Sequence, residues 1–272
     1  MNVAEATRFA QIHIRAVAGE EDLQQAKELV GFVLGIEPAA LMLHHGVEMT
    51  RDQLILLGEY LDRRAGGEPL QYILGQWSFM SLPMIVEPGI LIPRQDTEVL
   101  CEKAEQLAKE RGYTTVLDLC CGSGCIGIAL HIRAGLRVTA SDISGECTRI
   151  AVENAKLNGA DLDIRTGDLF LAVAGETFDC IVCNPPYLNQ TELSTMQKEV
   201  SFEPKIALDG GSDGLDFYRR ISREYLEHLN PGGVLLMEIG ATQSNAVLAL
   251  FANASVLKDY AGNPRVVIVE GT

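Results

Sequence analysis

The 272-residue sequence predicts a protein of the α/β class, in which a doubly wound parallel sheet follows a small helical unit. Apolar strand-like segments alternate with helical segments from Thr97 onward, as in a sheet covered by helices on both faces. A glycine-containing turn joins one such strand to the next helix in VLDLCCGSGCIG, residues 116–127. Up to about residue 66, apolar positions recur at three- and four-residue intervals, which is typical of amphipathic helices.

In chain order, we predict a helical domain at residues 1–70, a β-hairpin-like connector at 71–95 and an α/β domain at 96–272. The helices predicted in the first region span residues 3–18, 21–34, 37–43 and 51–64. In the last region we predict helices at 98–112, 126–134 and 146–158. The strands predicted there span 115–119, 136–141, 162–165, 180–183, 234–239, 255–260 and 265–270.

The composition is that of a globular protein, with 47% apolar and 22% charged residues. The formal net charge is −15, whereas a protein that binds a phosphate backbone normally presents a basic face. We therefore expect no direct nucleic-acid partner. No apolar run is long enough to cross a bilayer, and the N-terminus lacks the pattern of a secretory signal, so we expect no membrane association.

Seven cysteines, an odd number, indicate reduced thiols and a cytoplasmic location rather than a disulfide framework. Cys180 and Cys183 have C-x-x-C spacing, but within a strand their side chains would point to opposite faces. The five histidines are scattered along the chain. We therefore predict no metal site.

The turn after the first strand of the α/β domain contains Gly122, Gly124 and Gly127 in a G-x-G-x-x-G pattern. Such a loop suits a dinucleotide or S-adenosylmethionine, and a tight turn without a ligand remains an alternative. Asp118, at the end of the strand, has no partner in a dinucleotide site but could receive a ligand's ammonium group.

Two further acids follow predicted strands. Asp142 stands where a dinucleotide-binding fold keeps its ribose-binding carboxylate, although it could equally cap the following helix. Asp168 and Leu169 follow the next strand. They could contact the amino group and the ring of an adenine.

The strand FDCIVC runs directly into Asn184-Pro185-Pro186-Tyr187. Two consecutive prolines cannot donate backbone hydrogen bonds, and each restricts the residue before it, so this loop is stiff. By itself the loop could be a rigid turn that ends a strand, or a functional element.

The chain resembles the HemK/PrmC family, the release factor N5-glutamine methyltransferases. The resemblance lies in PLQYILGQWSF (69–79), ILIPRQDTEVL (90–100), LDLCCGSGCIGIAL (117–130), VCNPPYL (182–188), EPKIALDGGSDGLDFYRRI (203–221) and KDYAGNPRVV (258–267). It implies a Rossmann-like class I S-adenosylmethionine-dependent methyltransferase domain behind a small N-terminal helical domain. The cofactor would be S-adenosyl-L-methionine and its product S-adenosyl-L-homocysteine.

The resemblance also implies the reaction. A methyl group would pass to the side-chain amide nitrogen (N5) of the glutamine in the Gly-Gly-Gln motif of class 1 peptide chain release factors. Separately, we expect the protein to be a monomer. Asn184 and the Pro185 carbonyl would accept the two amide N–H groups, beside Pro186, and Tyr187 would pack on the glutamine side chain. The cofactor residues implied are Asp118, Cys120, Cys121, Gly122, Ser123, Gly124, Asp142, Ile143, Asp168, Leu169 and Asn184.

One departure from the family lies at Cys120 and Cys121, near which the family usually carries glycine. Cysteine needs more room than glycine and disfavours positive φ, so this change bears on the affinity and geometry of an otherwise retained pocket.

Rival functions differ in what they leave unexplained. An amino methyltransferase acting on adenine or guanine would use the same Asn-Pro-Pro-Tyr loop. The negative net charge of the chain disfavours its nucleic-acid substrate. A glutamine methyltransferase of a large-subunit ribosomal protein is a nearer relative. An NAD(P)-dependent oxidoreductase would leave Asp118 and the proline loop without a task. A cofactor-binding regulatory module would leave the loop's acceptors unused.

Overall fold

A computed structural model describes residues 1–271, and its backbone contacts form two compact units. The first comprises Met1–Gly75 and Gln197–Phe202, and the second Gln76–Met196 and residues 203–271. The predicted connector at 71–95 is therefore not a separate region, because its first residues belong to the first unit and its hairpin to the second. The sequence also gave no indication that residues 197–202 would group with the N-terminal helices.

The first unit is helical. Its α-helices are α1 (Val3–Ala18), α2 (Asp22–Leu34), α3 (Arg51–Ala65) and α4 (Leu70–Leu74). 3₁₀ helices span Gly19–Glu21, Pro38–His44 and Val200–Phe202. The α-helix predicted at 37–43 is thus a 3₁₀ helix, which Pro38 starts at its first position.

One helix cap and one buried side chain are prominent in this unit. Thr50 caps α3 through a capping box with Gln53, as its position before the helical pattern predicts. Arg64 is only 1% exposed, and its guanidinium donates to Gln25 Oε1 at 2.8 Å and to Glu199 Oε2 at 3.0 Å. The second bond joins residues 197–202 to the N-terminal helices.

The second unit opens with an antiparallel hairpin of β1 (Gln76–Phe79) and β2 (Leu82–Ile85). The strands of its main sheet are β3 (Thr115–Leu119), β4 (Arg137–Asp142), β5 (Leu162–Thr166), β6 (Phe178–Cys183), β7 (Leu229–Glu238), β8 (Ala254–Lys258) and β9 (Pro264–Glu270). Its helices are α5 (Gln95–Arg111), α6 (Cys125–Ala134), α7 (Gly145–Leu157), α8 (Gln190–Thr195), α9 (Lys205–Leu208), α10 (Asp216–Glu224) and α11 (Ser244–Leu248). Short 3₁₀ helices span Leu169–Val173 and Tyr225–His228.

The order of strands in the main sheet is β5-β4-β3-β6-β7-β9-β8. Strands β3 to β7 pair in parallel, and β9 pairs antiparallel with both β7 and β8. The chain moves outward from β3 to β5 and then returns to place β6 beside β3. In open α/β sheets, ligands bind at such a switch point, beyond the carboxyl ends of the strands.

Both faces of the sheet are buried, as the apolar strands predict. Val116 and Cys180 belong to the core on one face, whereas Leu117 and Cys183 belong to the core on the other. The strand period therefore separates the two thiols of CIVC. No helix in the described chain has the length and apolar character needed to cross a membrane.

Candidate active site

An open cavity lies beyond the carboxyl ends of β3, β4 and β6. It encloses about 810 Å³ of empty space, counting the part open to solvent. Small-molecule sites typically measure roughly 300–1,000 Å³. Its wall includes Leu91, Cys120, Gly122, Asp142, Ile143, Asp168, Leu169, Asn184, Pro186, Phe217 and Arg220. The fold thus brings together residues that the sequence singled out at the ends of four different strands, β3, β4, β5 and β6.

The loop after β3, residues 120–124, is named the glycine loop here. Its Cys120, Gly122 and Gly124 have φ values of 61°, 54° and 77°. For a residue with a Cβ atom this left-handed backbone costs about 1–2 kcal/mol, so Cys120 is strained where glycine would be relaxed. A Cβ added at Gly124 would lie 3.0 Å from the Ala151 Cβ, so that glycine is also required by close packing against α7.

Cys121 and Ser123 hold the glycine loop from beneath. The Cys121 N–H donates to the Ser141 carbonyl at 2.9 Å, and the Ser123 carbonyl accepts from Asn154 Nδ2 at 3.0 Å. Neither side chain lies in the wall of the main cavity; both line a smaller cleft between the loop and residues 91–97. Their geometry is therefore that of loop support, and a direct cofactor contact stays a prediction.

Asp142 lies at the end of β4 and connects two loops. Its Oδ2 accepts from the Gly122 N–H and its Oδ1 from the Ser144 N–H, both at 2.9 Å. The cap of α7 is Ser144, whose hydroxyl accepts from the Cys147 N–H, so Asp142 is not the helix cap. Burial raises the pKa of Asp142, and the two N–H donors oppose that rise. Each carboxylate oxygen keeps a lone pair for a hydroxyl in the cavity.

Asp118 does not lie where the sequence predicted, in the wall of the cofactor site. Its side chain is fully buried and absent from the cavity wall. Its Oδ2 accepts from the Gly127 N–H at 2.8 Å, and its Oδ1 has no partner among the described residues. Burial raises the pKa of Asp118 to about 7. The carboxyl thus ties β3 to the first turn of α6, so its presence does not by itself require a ligand's ammonium group.

On the opposite wall, Leu169 has a φ of 48° and is buried against the cavity. This strained backbone directs an apolar surface toward the space where a flat ring could lie. Asp168 forms an ion pair with Arg220 at 2.8 Å, so one of its oxygens is already engaged. Ile143 is 54% exposed at the mouth of the cavity.

The loop after β6, residues 184–187, is named the proline loop here. Asn184 and Pro186 lie in the cavity wall, and Pro185 is buried behind them. Asn184 Nδ2 donates to Thr97 Oγ1 at 3.3 Å. No described residue donates to Asn184 Oδ1, and this atom is not among the buried ones. The Tyr187 hydroxyl donates inward to Glu238 Oε1 at 3.3 Å.

The segment ALDGGSDG, residues 207–214, supports the proline loop. Leu188 and Asp209 form a parallel bridge beside it. A Cβ added at Gly210 would lie 2.8 Å from the Tyr187 Cα, and one at Gly214 would lie 2.4 Å from the Tyr187 carbonyl oxygen. These glycines let two backbone segments touch, which explains why glycine occurs at both positions.

Thr97 and Glu238 are hydrogen-bond partners of the proline loop that the sequence did not reveal. Both are buried, with exposures of 2% and 1%. Thr97 lies within ILIPRQDTEVL (90–100), but the sequence assigned no role to this residue. The one visible sign for Glu238 was an acid ending the apolar run VLLME, residues 234–238. Residues 1–271 contain no group of three His, Cys, Asp or Glu side chains placed to hold a metal ion.

The sheet order, the glycine loop and the cavity define a class I S-adenosylmethionine-dependent methyltransferase fold. Two solved structures share it. A methyltransferase from Pyrococcus furiosus has a TM-score of 0.52 at 19% identity, over 71% of this chain and 91% of that one. The hMettl16 catalytic domain has a TM-score of 0.56 at 14% identity, over 81% and 82%.

Two family models match the chain: the PrmC N-terminal domain over residues 5–75 and the methyltransferase small domain over residues 95–205. A release factor glutamine methyltransferase of Koribacter versatilis is 38% identical over 274 residues, 98% of each chain. Its counterpart in Geobacter sulfurreducens is 41% identical over 226 residues, 82% of this chain and 79% of that one. The chain belongs to the release factor glutamine methyltransferase family.

Proposed function

We propose that this protein transfers a methyl group from S-adenosylmethionine to the side-chain amide nitrogen (N5) of the glutamine in the Gly-Gly-Gln motif of class 1 release factors. Two relatives named release factor glutamine methyltransferase match 98% and 82% of the chain. The observation within the site that carries the proposal is Asn184. Its amide nitrogen is held by Thr97, and its oxygen has no protein donor in the described chain.

The residues of the proline loop suit an amide substrate. An amide nitrogen is a poor nucleophile because its lone pair is delocalised into the carbonyl. Asn184 Oδ1 and the Pro185 carbonyl would accept its two N–H groups, fixing the direction of the nitrogen and stabilising the positive charge that develops on it. The fixed φ of proline keeps the second acceptor in place before the substrate arrives.

S-adenosylmethionine, when bound, supplies an electrophilic methyl group and leaves as S-adenosylhomocysteine. The residues present fit this cofactor. Asp142 keeps lone pairs for the ribose hydroxyls, the glycine loop has the backbone conformation for close approach, and Leu169 presents a strained apolar surface for the adenine. Ile143 would cover the ring from the cavity mouth, and Asp168 would use its unpaired oxygen toward the adenine amino group.

Recognition of the protein substrate is assigned, as part of this proposal, to the first unit. It is a helical unit with its own core and matches the PrmC N-terminal domain model. Large apolar side chains remain exposed on it, among them Ile12, Met42 and Leu43 at 67%, 71% and 85%. A chain starting at Gln76 should bind S-adenosylhomocysteine but fail to methylate an intact release factor. Full activity of that chain on the intact factor would contradict this assignment.

The decisive experiment incubates the protein with labelled S-adenosylmethionine and, separately, purified release factors, large-subunit ribosomal proteins and nucleic acid. We expect label only in the release factors, and mass spectrometry should locate one added methyl group on the Gly-Gly-Gln glutamine. Label on a ribosomal protein or on a base, with the release factors unlabelled, would overturn the proposal. The Asn184→Ala variant serves as the control for methylation from a contaminating enzyme.

A further inference from the structure

A chain of hydrogen bonds leads from the proline loop into the core of the second unit. Asn184 Nδ2 donates to Thr97 Oγ1 at 3.3 Å, and Thr97 Oγ1 donates to Glu238 Oε2 at 2.6 Å. The other oxygen of Glu238 accepts from the Tyr187 hydroxyl at 3.3 Å. One buried carboxyl at the end of β7 therefore contacts both polar side chains of the loop, directly or through one hydroxyl.

Counting protons fixes the direction of this chain. Thr97 has a single hydroxyl hydrogen, and it donates this hydrogen to Glu238 Oε2. Thr97 Oγ1 is then left as an acceptor, and the donor that reaches it is Nδ2 of Asn184. The amide nitrogen of Asn184 must consequently face the core, and its oxygen must face the cavity.

We propose that Thr97 and Glu238 are positioning residues that set the amide orientation of Asn184 and thereby make it an acceptor for the substrate amide. This inference builds on the proposed function. With the side-chain amide reversed, Asn184 would present N–H donors to the N–H donors of the glutamine. The acceptor that stabilises the developing positive charge would then be lost.

The surroundings of Glu238 are suited to this task. Burial raises its pKa, whereas the Thr97 hydroxyl and the Arg265 guanidinium act in the opposite direction. Arg265 is itself held between Asp96 at 3.0 Å and Asp259 at 3.2 Å. The Tyr218 hydroxyl donates to the Glu238 carbonyl at 2.8 Å and fixes the backbone beneath it. The carboxyl therefore has a nearby cation and a fixed frame.

The test compares two substitutions at one position. Thr97→Val removes the hydroxyl with nearly the same shape, and Thr97→Ser keeps the hydroxyl. With a release factor as substrate, we expect Thr97→Val to lower kcat by about tenfold, the loss of one hydrogen bond that acts on a reacting group. The KM for the release factor and the calorimetric affinity for S-adenosylhomocysteine should change by no more than about twofold. Thr97→Ser should keep most of the wild-type kcat.

A double-mutant cycle separates positioning from a general structural role. In the Asn184→Ala background the residue to be oriented is absent, so adding Thr97→Val should cause no further loss of single-turnover rate. An undiminished tenfold loss in that background would overturn the inference. So would a wild-type kcat in Thr97→Val, or a loss of cofactor affinity that matches the loss of kcat.

If Thr97→Val does not fold, Glu238→Gln provides the second variant. Glutamine can present either its oxygen or its N–H₂ to Thr97, so the hydrogen-bond chain can run in both directions. We expect kcat to fall several-fold with cofactor affinity retained, and an unchanged kcat would contradict the inference. Failure of the proposed function looks different, because the wild-type protein would then leave release factors unmethylated.

Discussion

The glycine loop after β3 and the proline loop after β6 leave neighbouring strands at the same edge of the sheet, yet different contacts hold them. In the glycine loop, positive φ angles at Cys120 and Gly122 and a bond from the Gly122 N–H to Asp142 set the shape. In the proline loop, partners come from distant parts of the chain: Thr97 is 87 residues from Asn184, and Glu238 is 51 residues from Tyr187.

This difference separates two ways of building a binding surface. A backbone cradle for a cofactor can be encoded by a short run of residues, because φ angles and nearby acids suffice. An oriented amide needs a partner that fixes which end of its side chain faces the cavity, and a stiff loop alone cannot provide one. We therefore expect changes in the glycine loop to alter cofactor affinity or stability, and changes in the proline loop to alter turnover.

The largest expected effect concerns the acid beneath the glycine loop. The pKa of Asp118 is about 7 in the folded protein and ordinarily 3.8, so folding favours its protonated form. Between pH 4 and 7 the unfolded chain has released this proton while the folded chain retains it, and stability falls as pH rises. Asp118→Asn stays neutral, so its stability relative to wild type should increase by up to about 4 kcal/mol across this range.

Urea unfolding of both proteins at a series of pH values measures this difference. Asp142 and Glu238, whose pKa values burial also raises, remain in both proteins, so the comparison isolates the titration of Asp118 together with its repulsion by Asp142. A difference that does not vary with pH would show that Asp118 is ionised in the fold. The glycine loop would then depend on a buried charge rather than on backbone geometry alone.

The next largest effect is on the proline loop. Asn184→Ala should lower the single-turnover rate on a release-factor fragment containing Gly-Gly-Gln by about 10²-fold, the usual cost of removing one preorganised polar group. Affinity for S-adenosylhomocysteine should stay within about threefold. Asn184→Asp keeps an acceptor and should retain part of the activity, although its charge must be desolvated. A wild-type single-turnover rate in the alanine variant would indicate that the double proline is only a stiff turn.

For the cofactor side, Asp142→Ala should weaken binding of S-adenosylhomocysteine by about tenfold or more, through loss of charge-assisted hydrogen bonds to the ribose. Calorimetry measures this affinity. Ser144→Ala is the matched control, because it removes the α7 cap and should lower stability by about 1 kcal/mol without a comparable loss of affinity. Equal affinities of wild type and Asp142→Ala would leave Asp142 as a link between loops only.

The smallest effect tests the strain at Cys120. Both Cys120→Gly and Cys120→Ala remove the sulfur, but only glycine relaxes at a φ of 61°. The glycine variant should therefore be more stable than the alanine variant by about 1 kcal/mol, measured by denaturant unfolding. Should alanine prove equal or better, the loop shape would be imposed by its surroundings rather than by the conformational preference of residue 120.

The sequence by itself predicted the strands of the main sheet and the long helices close to their observed bounds, but not α4 or the short helices α8 to α11. Apolar periodicity predicted α1 at residues 3–18 and β3 at 115–119 with the bounds that the structure has. It also marked the two loops, because glycine and proline act on the backbone locally and leave a pattern within a few residues. Asp142 could be singled out as a candidate ribose-binding acid, because one strand–helix–strand unit separates such an acid from the glycine loop.

The tertiary structure alone decided which polar groups meet. Asp118 is paired with the Gly127 N–H, and Thr97 bonds Glu238 across 141 residues of sequence. Such contacts depend on how helices and strands pack, and no local conformational preference of threonine or glutamate predicts them. The sequence therefore identified the residues of the glycine loop and the proline loop. The direction of the Asn184 amide was set only when β7 and α5 came together in the fold.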